Sequence, residues 1–400
     1  MPSNILRDLL PGNSVRMYDP QSVGVVKRKH VDLDVTLHLR CGETMDGFRL
    51  AYETYGKLND DASNAILICH ALSGDSHVAG YYTDDPHERP GWWDEAVGPG
   101  KMFDTDKFFV ICSNVLGGCT GSTSPAYPHP DDKRPYGLRF PVLTIADMVQ
   151  AQTHLINYLG IDKLFAAAGG SMGGMQALQW AVDYPERVEN CLFIASTPIS
   201  SAQNIAFNEI GRQAIYADPY WNNGDYYDRS RYPDNGLAVA RMIGHISYMC
   251  EDSLEQKFGR RMQYDNTLNY HFHTDFRVES YLRYQGHKFT KRFDANSYLY
   301  ITKALDYYDV AQGHENTEAA VERCQCPFLV VSFSSDWLYT REQALILVDA
   351  LKQVNKDVEY HHVIADFGHD SFLVEVDTMN DIVGGFLKKH SEHLETKAAV

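Results

Sequence analysis

Apolar residues recur along this chain in two rhythms. Val31, Leu33, Val35, Leu37 and Leu39 alternate with polar positions, and residues 48–55 do much the same, so the fold opens on a hairpin-like pair of half-buried strands. Residues 65–69, Ala-Ile-Leu-Ile-Cys, are apolar without interruption, which is what a central parallel strand covered on both faces requires. Residues 108–112 and 164–168 follow the same rule, 327–333 does so but for Ser332, and 188–195 and 358–364 read as further strands of the same sheet. Met148, Gln152, Leu155, Ile156 and Leu159 mark a helix that Thr144 or Asp147 caps and Gly160 ends. Strands alternating with helices predict an α/β chain built on a mostly parallel sheet.

The rhythm stops after residue 196. From 197 to 321 the chain is crowded with Tyr, Asn, Arg and Asp and offers helix-like stretches at 201–216, 236–249, 253–258 and 295–307. This predicts a core in two parts, 1–196 and 322–400, with a helical lid inserted at 197–321. The aromatic content of the lid (Tyr216, Tyr220, Trp221, Tyr226, Tyr227, Tyr248) suits either a tunnel wall or a subunit interface. Residues 1–30 read as an irregular arm, 378–390 as a closing helix, and the polar tail from 390 to 400 as mobile.

Composition narrows the function. No uninterrupted apolar run is long enough to span a bilayer, and residues 1–10 lack an apolar signal-peptide core, so a cytoplasmic protein is expected. The formal charge of −17 argues against nucleic-acid or anionic-membrane partners, which need basic patches. It also means that a phosphate-bearing ligand must find local cations at its docking site. Eight cysteines without zinc-ligand spacing read as buried, reduced thiols, and no metal site is expected.

Candidate chemistry centres on Ser171. Gly169-Gly170-Ser171-Met172-Gly173 matches the G-x-S-x-G nucleophile elbow, with an apolar strand before it and a helical pattern (Met175, Leu178, Ala181) after it. A serine hydroxyl needs a neighbouring base, and the base needs a partner to fix its tautomer. In an α/β-hydrolase fold these follow in the order Ser, Asp, His. Asp336 in Ser-Ser-Asp-Trp and His369 in Asp-Phe-Gly-His-Asp each lie just past an apolar run. Asp336 as a mere helix cap, or His369 as an ordinary one of 17 histidines, would leave that order unexplained. Backbone N–H groups of Met172 and Leu72 are the candidate oxyanion donors. His70 precedes the serine and reads as structural. The residues therefore indicate serine acyl transfer, to water, an alcohol or a thiol. An esterase or thioesterase, or a binding protein on this scaffold that has lost catalysis, are the competing readings.

The longer elbow, Gly-Gly-Ser-Met-Gly-Gly-Met-Gln-Ala-Leu-Gln-Trp at 169–180, resembles that of the homoserine O-acetyltransferase family. So do Asn-Val-Leu-Gly-Gly-Cys-Thr-Gly-Ser-Thr at 114–123, Phe-Pro-Val-Leu-Thr-Ile-Ala-Asp at 140–147, Asn-Glu-Ile-Gly-Arg-Gln-Ala-Ile at 208–215, Ser335-Asp336 and Gly368-His369-Asp370. The likeness runs from about residue 45 to 385. One departure is Ser124, where the family has glycine. The resemblance implies transfer from acetyl-CoA to the L-homoserine hydroxyl in methionine biosynthesis, through an acyl-serine and a ping-pong scheme, by a homodimer with no permanently bound cofactor. It points to Arg212 for the homoserine carboxylate and Asp370 for its ammonium; a lid salt bridge and a helix cap are their structural alternatives. Relatives using succinyl-CoA carry Arg two residues after the catalytic Asp, where this chain has Leu338, an apolar residue that suits acetyl; succinyl-CoA is the alternative donor, with Arg341 or another lid arginine for its second carboxylate.

Overall fold

A computed structural model describes residues 20–398, except 84, 86, 87, 265–267 and 269. Most of the expected N-terminal arm, residues 1–19, and the two last residues lie outside the described residues. The strands of the main sheet are β1 (Lys29–His38), β2 (Thr44–Tyr55), β3 (Ala65–Cys69), β4 (Phe109–Ser113), β5 (Ala166–Gly170), β6 (Cys191–Ile194), β7 (Phe328–Phe333) and β8 (Val358–Val363); Val97–Gly98 and Phe103–Asp104 pair apart from it. They form one sheet in the order β1-β2-β4-β3-β5-β6-β7-β8. β1 pairs antiparallel with β2 and β2 with β4; every later pairing is parallel.

Both faces of the central strands are buried. Leu67, Cys69, Ala167 and Phe193 face one apolar cluster, which includes Met175 and Leu178 of α2 (Met172–Asp183). Ile66, Ile68, Ala166, Ala168 and Ile194 face another, closed by Phe386 and Leu387 of the C-terminal helix Gly385–Ala398. This is why the strand runs carry no polar alternation. The register brings Cys69 beside Gly169, Gly170 beside Ile194 and Val363 beside Phe333, so these strands end along one edge of the sheet. The loops that follow them carry Leu72, Ser171, Asp336 and His369.

Helix α1 (Ile145–Tyr158) uses both expected caps: Thr144 accepts from the Asp147 N–H while Asp147 accepts from the Thr144 N–H. Between β6 and β7 the chain leaves the sheet and forms α3 (Ala202–Tyr216), α4 (Asp234–Tyr248), α5 (Glu251–Lys257), α6 (Arg277–Thr290) and α7 (Ala295–Asp306). It is back against the core by α8 (Thr317–Glu322), which packs on α9 (Arg341–Gln353) before residue 322 is passed. Several lid aromatics bond within the lid rather than lining a tunnel. Tyr226 and Tyr227 donate to Asp294 at 2.6 and 3.0 Å, and the Trp221 indole donates to Asn296 at 3.0 Å.

Three further expectations differ from the structure. The tail is helical through Ala398, with a short π-helical turn at Asn380–Gly384 before it, so the closing helix lies later than 378–390. Cys41 is exposed and Cys119 partly so, although the other six cysteines are buried; none is in a disulfide. Ser124 sits in its turn without a positive φ, so that position does not require glycine.

The elbow glycines are fixed by contact. A Cβ at Gly173 would stand 2.0 Å from the Cys69 carbonyl oxygen, and one at Gly169 would stand 2.4 Å from the Gly173 carbonyl carbon. Both obstacles are backbone and cannot yield as a flexible side chain would. Gly173→Ala is therefore expected to lower stability by about 3 kcal/mol, at the upper end of overpacking costs, measured by urea unfolding. A change below 1 kcal/mol, about the noise of surface substitutions, would contradict the contact.

Candidate active site

Ser171 stands between β5 and α2 with φ 61° and ψ −127°, a conformation that costs a non-glycine residue about 1–3 kcal/mol. Its neighbours over-determine it. The Ser171 N–H donates to Ile194 at 3.0 Å, and its carbonyl accepts from Gly174 at 2.9 Å and from the Ser196 hydroxyl at 2.7 Å. The side chain projects at the N-terminus of α2, where unpaired N–H groups face outward.

The two loops after β7 and β8 are laced together residue by residue. Ser334 exchanges hydrogen bonds with the Ala365 backbone, Ser335 accepts from the Gly368 N–H at 2.9 Å, and Asp336 Oδ2 lies 2.8 Å from His369 Nδ1. The other Asp336 oxygen accepts from the Leu338 and Tyr339 N–H groups at 3.0 and 2.9 Å. A fully occupied carboxylate makes Nδ1 the protonated nitrogen and leaves Nε2 as a base. Burial disfavours the imidazolium, but the Asp336 charge and hydrogen bond outweigh it and raise the His369 pKa.

Ser171 and His369 close on the same rim without a direct hydrogen bond. The Tyr339 hydroxyl lies close enough to Ser171 to act on it electrostatically, and its ring lies 5.2 Å from the imidazole. Phe372, 5.7 Å from the imidazole, packs so tightly on Gly170 that a Cβ there would meet it at 2.4 Å. Without substrate such serine–histidine bonds are often open and tighten when the reacting complex forms.

On the opposite side, the loop carrying Leu72 is tied to the elbow helix. The buried Gln176 carboxamide donates to the carbonyls of His70 at 3.1 Å and Met172 at 3.2 Å, and accepts from Gln152 at 2.8 Å. Gln152 in turn accepts from the Trp180 indole at 2.8 Å. His70 donates to Ala71 from Nδ1 and accepts from the Val115 N–H at Nε2, at 2.7 and 3.0 Å, so both ring nitrogens are committed to holding the loop.

Arg212 is buried and ion-paired to Asp306 at 2.6 Å and Glu209 at 2.9 Å, with Nη1 buried and unpartnered. Asp370 follows His369 in a half-buried position. Burial pushes its pKa up to about 6 against the pull of His369 and Arg241. Leu338 buries its side chain in the apolar cluster that also holds Leu72 and Met172, and its carbonyl accepts from Asn204 at 2.6 Å. Sequence reasoning missed Tyr339, Gln176 and Arg241. The Arg241 guanidinium lies over the Tyr248 and Phe289 rings at 5.5 and 4.8 Å, and the Tyr248 ring is 6.0 Å from His369. An arginine inside the apolar run Leu-Ala-Val-Ala-Arg-Met-Ile was the available signal.

Residues 64–376 match the family model described as alpha/beta hydrolase fold. The homoserine O-acetyltransferase of Methanohalobium evestigatum is 53% identical over 92% of this chain and 74% of its own length. The chain belongs to the homoserine O-acetyltransferase family. Its fold is shared with the crystal structure of homoserine O-acetyltransferase from Bacillus anthracis, which is 31% identical with TM-score 0.84, covering 91% of this chain and 98% of that one. Esterase E22 is equally similar at 31% and TM-score 0.84, covering 91% and 100%.

Within this family member, Gln176 is the side chain that joins the loop of Leu72 to the helix of Met172. Gln176→Leu is expected to lower kcat about tenfold or more by loosening donors whose outright loss costs about 10²–10³. Both KM values should stay within about twofold, a split that general loss of structure would not give. Steady-state kinetics beside a thermal melt checks this, and an unchanged kcat would mean that the loop holds its shape without the carboxamide.

Proposed function

We propose that this family member moves an acetyl group from acetyl-CoA to the hydroxyl of L-homoserine through an acetyl-Ser171 intermediate. The observation that carries the reading is the strained serine at the head of α2, facing a loop pair in which Asp336 holds the His369 imidazole. His369 Nε2 takes the Ser171 proton as Oγ bonds to the thioester carbonyl carbon. Charge on the carbonyl oxygen is met by the Leu72 and Met172 N–H groups. The carbon–sulfur bond then breaks and the imidazolium returns its proton to the leaving thiolate. Homoserine enters, gives its hydroxyl proton to the same nitrogen and takes the acetyl group, restoring Ser171. Donor and acceptor thus use one base in turn, which is a ping-pong scheme.

Homoserine is a zwitterion, so a site that excludes water must answer both charges. Asp370 would take the ammonium. Arg212 would offer the carboxylate its unpartnered Nη1, and Arg241, whose charge acts on Asp370, is the second guanidinium within the site's electrostatic reach. Leu338 leaves no cation at the position that resemblance links to succinyl donors. Esterase E22 shares the fold, and the difference in reaction rests on which acceptor is held against the acyl-serine in a site that keeps water out. Val239, Met242, Ile243 and Ile246 form an at least partly exposed apolar stripe on α4, which supports a homodimer through the lid. A biosynthetic enzyme with no helix among its described residues long and apolar enough to cross a membrane suits the cytoplasm.

Ser171→Ala is expected to abolish transfer, with losses on the order of 10⁴ or more; retained turnover by purified protein would refute the assignment. Acidity gives a second test. Below the raised pKa of about 6, Asp370 is neutral and loses its hold on the ammonium, so kcat/KM for homoserine should fall as pH drops through that value. In Asp370→Asn the acylation half-reaction should survive while the homoserine KM rises at every pH; equal damage to both halves would make Asp370 a folding residue.

A further inference from the structure

Cations gather on the lid just outward of the base. Phe289 carries two guanidiniums, Arg241 at 4.8 Å and Arg292 at 5.2 Å, although like charges so close repel. One turn beyond Arg241 on α4, His245 is only 7% exposed. Its Nδ1 lies 3.2 Å from the Tyr281 hydroxyl, and the Tyr281 ring carries the Lys257 ammonium at 4.3 Å. With Tyr281 donating to Nδ1, the His245 proton sits on Nε2, which is buried and has no hydrogen-bond partner among the described residues. Arg241 Nη1 is likewise buried and unpartnered. Lys288 adds a fourth cation whose field reaches His245. Among the carboxylates that act on the group are Asp370, on Arg241 and Lys257, and Asp75, on Arg292. Burial and these four neighbouring cations push the His245 pKa down to about 2. Two buried donors without a hydrogen-bond partner among the described residues, Arg241 Nη1 and His245 Nε2–H, set among these cations, form a local site for an anion in a chain of net charge −17.

We propose that this cluster docks the phosphate groups of the acyl donor, with His245 Nε2–H, Lys257, Lys288 and Arg292 meeting the phosphate oxygens. The inference rests on the acetyl-CoA reading and locates the nucleotide end of that donor. A single carboxylate, of homoserine or of an acyl chain, would engage one of these donors, whereas linked phosphates can engage several. The position also fits a long donor. Arg292 donates to the Ser73 carbonyl at 2.7 Å, next to the candidate oxyanion donor Leu72. The cluster extends from there and from Tyr248, beside His369, outward to Lys257. A pantetheine arm separates thioester and phosphates in the same sense.

The test compares two thioesters on the full chain: acetyl-CoA, and acetyl-pantetheine, which has the same reacting end without phosphate. In the double variant Lys257→Gln/Lys288→Gln the KM for acetyl-CoA should rise about tenfold or more, and its dependence on salt should weaken. Turnover of acetyl-pantetheine should stay within about twofold of the unaltered enzyme. Equal loss with both donors, or no change with either, would overturn the dock. If the unaltered protein turns over neither thioester, the acetyl-CoA reading fails and takes the dock with it, a result distinct from the first two.

Discussion

The contact between backbone and backbone at the elbow constrains everything around it. Gly173 lies against the Cys69 carbonyl and Gly169 against Gly173, so β3, β5 and the first turn of α2 are drawn closer than any side chain would permit. That approach forces Ser171 into its strained φ and ψ, and the hydrogen bonds to Ile194, Gly174 and Ser196 keep it there. A relaxed serine would let α2 swing away from β3. The Leu72 loop and the Met172 N–H would then part, because the Gln176 bridge between them is only as long as one carboxamide.

A second set of contacts ties the lid to the acid–base loops. The Trp337 indole donates to Met249 at 2.9 Å, Cys250 Sγ lies 2.9 Å from the Asp366 carbonyl, and Gly368, at φ +70°, lets the lid backbone at Tyr248–Cys250 pass where a Cβ would collide at 2.6 Å. The lid therefore grips the loops of both Asp336 and His369. Under the proposed function, the insertion that covers the site would also orient the His369 base.

Much of this was legible in the chain. Continuous apolar runs located the central strands to within about two residues, because two-sided burial leaves no room for polar alternation. Ser171 and Asp336 were readable because each follows such a run, and His369 because it completes the order Ser, Asp, His just past the last strand. Helix α6 was not foreseen: its Arg, Glu, Gln, His and Lys residues mask the apolar positions at 278, 281, 282 and 289. Arg212 was read as a carboxylate ligand with a lid salt bridge as its alternative, and the partner in that bridge, Asp306, could not be named because it belongs to another lid helix and is distant in sequence. Gln176 and Tyr339 escaped notice for a related reason: their importance lies in contacts between elements far apart along the chain, which no local pattern encodes. Arg241 left a local signal, a cation inside an apolar run, but not the partners it meets.

At the centre of the account, one serine must become acetylated before homoserine is present. Mass spectrometry of the purified protein after mixing with acetyl-CoA alone, followed by peptide mapping, measures this directly. The account predicts a single acetyl adduct on Ser171 that disappears when homoserine is added. An adduct on another residue, or product formed with no adduct accumulating or trappable at Ser171, would contradict it.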